Sequence, residues 1–399
     1  MDKMADVLGR AGAWCGQNKY LSAIKNAFQN FMPLTIAGAI GVLWCNVLVN
    51  ESTGLGIFFK PIMALEFLNP AFQAVNFCTI SCITVGITLG IAQEIGVWNM
   101  GAEKAGYIPG LVGLAAWLSV TNTSHMVEGA KEAFTGIAGN ELGATGLFTG
   151  MIIGVLSVEL FCFFEKQDAL KIKMPEQVPP GVARAFEVLV PATITLIITA
   201  CIGSACYNLT GLYLNDVIKN GIQGPLGAVG ATIPGVMIIY LVIMLFWLVG
   251  IHGNNMLSAV KEALFTPLAL ENVEKFNKGE KPTNIINMYA LQMWGEFGGS
   301  GVTIGLVIAI MIFGKREDNK AIASLSLVPG LFNINETVTF GIPMVLNPIL
   351  GIPFVFACLV TILVGYVLTV IGFCPVACLT VPWTTPPIVF GFLACGANV

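Results

Sequence analysis

The chain has 399 residues, of which 56% are hydrophobic and only 11% charged, against about 25% charged in an ordinary soluble domain. With a mean hydropathy of +0.81, that is too little polar surface to clothe a soluble fold of this length. A soluble enzyme, a disordered tail, a collagen and a disulfide scaffold are excluded, and a polytopic membrane protein remains. Nineteen Lys and Arg against 23 Asp and Glu give a net charge of −4. No long basic run is present, so nucleic acid is not an expected partner.

The first 27 residues hold Lys3, Arg10, Lys19 and Lys25 but no long apolar core, so no cleavable secretory signal is read there. Met4, Val7, Leu8, Ala11 and Trp14 recur at helical spacing. They predict a short amphipathic helix on the cytoplasmic membrane face. A bilayer core needs about 20 apolar residues per helix. The spans this predicts are 28–50, 70–92, a short 106–120, 142–164, 186–212, 228–251, 286–313 and 350–373. Apolar segments broken by Gly, Pro, Asn and Thr lie at 252–270, 321–348 and 376–396. Broken segments are tolerated at membrane depth only beside protein or a water-filled cavity, and they point to a transport site. The expected fold is all-α, with about 8–10 transmembrane helices, re-entrant hairpins and interfacial amphipathic helices.

Lys and Arg set the orientation. The N-terminal loop, the loop 165–184 and the loop 270–285 are basic and lie an even number of crossings apart, which places the N-terminus in the cytoplasm. The run Lys315–Lys320 conflicts with this count. Either 252–270 crosses, or 286–313 is broken at Gly295–Gly301. A polar, Pro-rich stretch at 165–185 and a second polar stretch at 211–224 separate plain spans from broken ones. Residues 1–212 are therefore expected to be a scaffold half, and residues 213–399 a substrate-handling half.

Intramembrane acids and histidines need a reason, because a charge at a helix centre costs about 2.5–3.5 kcal/mol. Four clusters stand out. Gly250–Asn255 places His252, one of two histidines, among Gly253, Asn254 and Asn255. Asn333–Pro348 sets Asn333, Asn335 and Glu336 in a segment too rich in Gly and Pro for one smooth helix. A re-entrant hairpin with Glu336 near its tip fits it. Val381–Ile388 puts Trp383 beside Thr384 and a rigid proline turn, which suits a pyranose or an interfacial anchor. Trp294–Gly301 carries Glu296 in a Gly-rich break, as a ligand or a helix-packing device. Gln73, Asn76 and Glu94 read as helix–helix glue, with substrate contact as the alternative. His125, with Asn122, Thr123 and Glu128, reads as part of a solvated loop. Eleven cysteines, none in a CxxC pair, read as packing residues. There is no P-loop, HExxH or Cys/His metal spacing, so no cofactor or metal is expected. Energy would come from a gradient or another chain.

Taken in order, GIHGNN, WGEFGGSG, LVPGLFNINETVTFGIPMVLNP and VPWTTPPI resemble enzyme IIC, the membrane subunit of the bacterial phosphoenolpyruvate-dependent sugar phosphotransferase system. More narrowly, the chain is similar to the lactose/cellobiose/diacetylchitobiose family over nearly its whole length. The resemblance implies an N-terminal half, 1–212, that dimerises and a C-terminal half, 213–399, that holds one sugar and moves relative to it. It implies transport of a β-linked disaccharide, diacetylchitobiose or cellobiose, across the bacterial cytoplasmic membrane. The motif Glu336 and His252 would lie beside the sugar 6-hydroxyl, with Asn335, Asn333, Asn254, Gly253, Trp383, Thr384 and Glu296 as further substrate-binding positions. A separate enzyme IIB chain, itself fed by enzyme IIA, would supply the phosphoryl group from a phosphocysteine, making this chain the membrane component of a sugar phosphotransferase complex. Family members continue some fifty residues past the WTTPP hairpin, so a final helix is expected to be missing here. Two other readings stay open: a proton-coupled disaccharide carrier with Glu336 as proton carrier, and a membrane glycan enzyme pairing Glu336 with Glu296 at about 5–10 Å.

Overall fold

The computed structural model describes residues 2–51, 55–125, 134–175, 177–342, 344–345 and 347–397. Glu128, named above, and Pro343 of the LVPGLFNINETVTFGIPMVLNP motif lie outside them. In chain order the main helices are α1 Asp2–Gln17, α2 Lys19–Leu43, α3 Asn69–Asn76, α4 Ile83–Met100, α5 Ile108–Val120, α6 Ala144–Glu165, α7 Pro180–Thr210 and α8 Ile233–Leu248. There follow α9 Gly253–Met256, α10 Ser258–Asn277, α11 Met288–Gly295, α12 Thr303–Phe313, α13 Glu317–Leu331, α14 Glu336–Gly341, α15 Pro348–Val370 and α16 Pro387–Ala394. The strand content among the described residues is one antiparallel pairing of Ser124–His125 with Phe134–Thr135.

The fold is thus the expected all-α membrane architecture. Among the described residues, four helices are long and apolar enough to cross a bilayer: Lys19–Leu48, Ala144–Glu165, Pro180–Thr210 and Ile349–Val370. Two bent pairs, Lys60–Ser81 with Ile83–Met100 and Leu214–Ala228 with Ile233–Leu248, raise this to six if each pair is one span. Ile108–Val120 and Thr303–Phe313 are shorter apolar helices. The predicted span 286–313 is two helices, α11 and α12, separated by the turns at 296–302. That is the broken alternative left open by the charge count. All eleven cysteines are free, and Cys162, Cys358, Cys378 and Cys395 are buried.

The chain forms two compact units. One comprises Asn18–Pro33 and Ser81–Pro225. Its centre is α4, α5 and α6, which meet through small residues. A methyl on Gly113 would sit 2.3 Å from the Ala92 side chain, and one on Gly150 would sit 2.2 Å from the Thr88 hydroxyl. Close backbone approach of this kind is how helices associate where lipid is as apolar as their own side chains. Asn26 donates to Glu94 at 2.9 Å, so Glu94 joins helices as expected. In α7, the Thr195 hydroxyl donates one turn back to the Pro191 carbonyl at 2.8 Å. At one end of α6 the buried Glu165 accepts Lys104 at 2.8 Å and Arg184 at 3.0 Å, and Arg184 also reaches Glu187 at 2.7 Å.

The other unit comprises Met1–Gln17, Leu34–Ile80 and Leu226–Val399. The amphipathic helix α1 packs here. Gly12 faces Ile251 and Phe246, Gly16 faces Met256, and Val7 and Trp14 are left exposed. This unit holds all the broken segments.

The Glu165 cluster makes a stability prediction. Breaking a buried ion pair from one side costs about 3–5 kcal/mol, because the remaining charge loses its compensation. Arg184→Met is expected to lower the thermal unfolding midpoint in detergent by several degrees. The double variant Glu165→Leu/Arg184→Met is expected to recover most of that loss. Equal midpoints for wild type and Arg184→Met would show that Lys104 alone compensates Glu165.

Candidate functional site

Helix α8 ends at Leu248, and the chain turns through Gly250 at φ +82°. His252 then caps α9, its Nδ1 accepting the Asn255 backbone N–H at 3.3 Å. An Nδ1 that accepts is unprotonated, so the ring proton sits on Nε2. That nitrogen lies 3.6 Å from Glu336 Oε1. The Trp247 ring supports the imidazole, with centroids 4.4 Å apart. Gly253 is required for this approach, since a methyl there would lie 2.0 Å from the Ile243 carbonyl oxygen. Glu336 opens α14. The side chains of His252 and Glu336 are 37% and 46% exposed, so a ligand can reach both.

The turns around this pair are held by asparagines. Asn333, at φ +62°, accepts the Gly298 N–H at 2.7 Å through Oδ1. Its Nδ2 donates to the carbonyls of Trp383 at 2.5 Å and Thr385 at 2.9 Å. One amide thereby ties three broken segments. Asn335 is buried and donates to the Ser300 carbonyl at 2.6 Å. Thr303 donates to the Gly298 carbonyl at 2.7 Å, and Cys358 to the Gly295 carbonyl at 3.2 Å. Two of the three asparagines expected to bind substrate, Asn333 and Asn335, therefore have their amide nitrogens committed to backbone.

The remaining expected positions fall in the same unit. Trp383 is 44% exposed, and Thr384 beside it is half-buried. Asn254 is half-buried, and its Oδ1 is a buried acceptor with no protein partner. Glu296 is different. Its Oε1 accepts the Tyr240 hydroxyl at 2.8 Å and forms an ion pair with the buried Lys261, whose ammonium lies 5.4 Å from the centroid of the Tyr240 ring. Glu296 is thus a neutralised strut joining α8, α10 and the 296–302 break, which is the packing alternative named for it.

Lys261, Tyr240 and Trp247 were not singled out by the sequence. Lys261 carried one signal, a cation beside an acid, Glu262, within the largely apolar stretch SAVKEALF. Two further asparagines also escaped notice. Asn272 and Asn287, fully buried, each donate to the Ala377 carbonyl, at 3.0 and 3.1 Å, and so anchor the segment leading to Trp383. His125 lies in the two-residue strand pairing, with Nε2 3.2 Å from the Asn122 carbonyl, away from the clusters above in sequence.

Broken membrane helices around an exposed His–Glu pair define a membrane carrier with an internal polar site. The family described as "Phosphotransferase system, EIIC" matches residues 25–358, and the chain belongs to that family. The chain is 32% identical over 398 residues to the "PTS system oligo-beta-mannoside-specific EIIC component" of Bacillus subtilis (strain 168), covering 98% of this chain and 87% of the relative. It is 29% identical over 452 residues to the "PTS system cellobiose-specific EIIC component" of Lactococcus lactis subsp. lactis (strain IL1403), covering 98% and 91%. Among solved structures it is similar to the crystal structure of the transporter ChbC, the IIC component from the N,N'-diacetylchitobiose-specific phosphotransferase system. The TM-score is 0.87 at 29% identity, over 97% of this chain and 89% of that one. The protein is therefore a multi-pass membrane transporter among β-glycoside EIIC components.

The Asn333 clip makes a local prediction. Asn333→Ala leaves the Gly298 N–H and the Trp383 and Thr385 carbonyls unpaired, and each buried orphan costs about 1–3 kcal/mol. Amide exchange is expected to rise at least tenfold in 296–301 and 382–386 and to stay unchanged in α6. Unchanged exchange in both loops would show that Asn333 holds neither.

Proposed function

We propose that the chain carries a β-linked disaccharide, cellobiose or diacetylchitobiose, and presents its 6-hydroxyl to the phosphocysteine of a separate enzyme IIB chain. The observation that supports this most is the His252–Glu336 pair, whose Nε2 and Oε1 are 3.6 Å apart, with both side chains partly exposed. Phosphoryl transfer asks little covalent help of the acceptor's host and depends on positioning. Glu336 accepts a hydrogen bond from the 6-hydroxyl and takes its proton as the new O–P bond forms and the S–P bond of the phosphocysteine breaks. His252, its proton on Nε2, orients Glu336. Trp383 stacks on a sugar ring, with Thr384 and the Asn254 Oδ1 at the hydroxyls. Asn333, Asn335 and Gly253 act by shaping the turns, and Glu296 by bracing them.

The wider arrangement belongs to the same proposal. The N-terminus lies in the cytoplasm, and the chain works as a homodimer through its N-terminal half. The C-terminal half moves with the sugar. Enzyme IIB docks at the polar loops 270–285 and 315–320, where Lys278 and Arg316 are exposed.

Glu336→Gln keeps the shape and the hydrogen bond but removes the proton acceptor. It is expected to lower phosphorylation of bound cellobiose at least a hundredfold while weakening binding less than tenfold. His252→Ala is expected to act in the same direction with a smaller loss. Sugar binding by titration and single-turnover phosphorylation with phosphorylated enzyme IIB separate the two. Equal losses of binding and phosphorylation in Glu336→Gln would reduce Glu336 to a binding residue.

A further inference from the structure

A cavity of about 610 Å³ lies within the unit that holds the His–Glu pair, but on other elements. Its walls are the end of α2 with the turn that follows, the segment through Met63 and Glu66 into α3, and Asn277 at the end of α10. The size falls within the range of small-molecule pockets, about 300–1,000 Å³.

Six carboxamides line it: Asn46, Asn50, Asn69, Gln73, Asn76 and Asn277. Asn69, Gln73 and Asn76 follow i, i+4, i+7 spacing along one face of α3, and Asn46 and Asn50 follow i, i+4 spacing. The segment Lys60–Ser81 is half of a bent membrane-crossing pair. A polar stripe at that depth is costly unless it lines a wet cavity. Gln73 and Asn76, read above as helix–helix glue, both line the cavity. Asn76 Oδ1 is a buried acceptor with no protein partner. Asn69 is preset by the Trp44 indole, which donates to its Oδ1 at 3.1 Å while stacking on Phe72 with centroids 4.2 Å apart. Asn46 donates to Asn277 at 3.4 Å across the cavity wall.

The charge of the lining selects the ligand. Glu51 and Glu66 are its charged residues, and no Lys, Arg or His is among those that line it. Two carboxylates with no cation repel a phosphorylated sugar. Hard cations are served by denser carboxylate sets, and no group of three or more His, Cys, Asp or Glu side chains suited to a metal ion occurs among the described residues. Carboxamides and carboxylates that pair with hydroxyls fit a neutral polyhydroxylated molecule.

We propose that this cavity is a second saccharide site, distinct from the His252–Glu336 site, which takes the unphosphorylated sugar and excludes its phosphate. The sugar-carrying reading above supplies the choice of probe; the lining chemistry supplies the ligand class.

The test uses the full chain in detergent, titrated with cellobiose, cellobiose 6-phosphate and calcium chloride. Calorimetry gives stoichiometry, and tryptophan emission compared with Trp44→Phe isolates the Trp44 response. The expected result is two equivalents of cellobiose per chain. One is lost in His252→Ala/Trp383→Ala, and the other is weakened at least tenfold in Asn76→Leu and in Gln73→Ala, whose side chain is exposed and whose fold is safe. The Trp44 response survives the first pair of substitutions and moves to at least tenfold higher cellobiose in the second two variants. Cellobiose 6-phosphate is expected to bind the cavity at least tenfold more weakly than cellobiose. A single equivalent that vanishes in His252→Ala/Trp383→Ala overturns the proposal, as does a Trp44 response to calcium but not to cellobiose, or equal affinity for the phosphorylated sugar. A single equivalent in the wild type, reported by Trp44 and unchanged in His252→Ala/Trp383→Ala, supports the cavity and overturns the sugar site proposed around Glu336.

Discussion

The structure depends on one constraint: a backbone polar group freed inside a membrane protein must find a partner within the protein. Wherever a helix breaks, its N–H and C=O groups lose their intrahelical bonds, and lipid offers nothing in return. Here asparagine side chains take over much of that load. Asn333, Asn335, Asn272 and Asn287 bond to the Gly298 N–H and to the carbonyls of Trp383, Thr385, Ser300 and Ala377. An amide suits the task because one side chain both donates and accepts. The breaks can therefore be rigid, and rigid breaks hold His252, Glu336 and Trp383 in fixed positions.

Charge follows the same economy. Glu296 lies close to the breaks yet is neutralised by Lys261 and held by Tyr240. Such a pair braces helices and leaves no free charge for chemistry. Glu336 has the opposite setting, partly exposed and facing an imidazole just beyond hydrogen-bond reach. A ligand hydroxyl entering between solvent and Glu336 finds an acceptor not already saturated. The contrast between two acids of the same unit is what the role proposed for Glu336 rests on.

Much of this was legible in the sequence. Four clusters of Gly, Pro, Asn and acid within apolar runs mark the broken segments, because no continuous lipid-facing helix tolerates them. The break at Gly295–Gly301 and the meeting of His252 with Glu336 fall where those clusters are. The roles of Asn333 and Asn335 were less legible. Polar residues near a transport site look alike in sequence whether they face a sugar or a carbonyl, and only the three-dimensional path of residues 382–386 reveals the Asn333 clip. Lys261 was hidden for a related reason: its partner is 35 residues away, beyond any helical periodicity. The stripe Asn69, Gln73, Asn76 was visible, but periodicity alone does not separate helix–helix glue from a cavity wall.

The most direct test of the central claim is uptake of labelled cellobiose into vesicles carrying this chain, with and without phosphoenolpyruvate and the soluble phosphotransfer proteins including enzyme IIB. The trapped sugar is then analysed for phosphate. The account predicts cellobiose 6-phosphate inside the vesicles only when the full relay is present. Unmodified cellobiose accumulating under a proton gradient, without the relay, would contradict it.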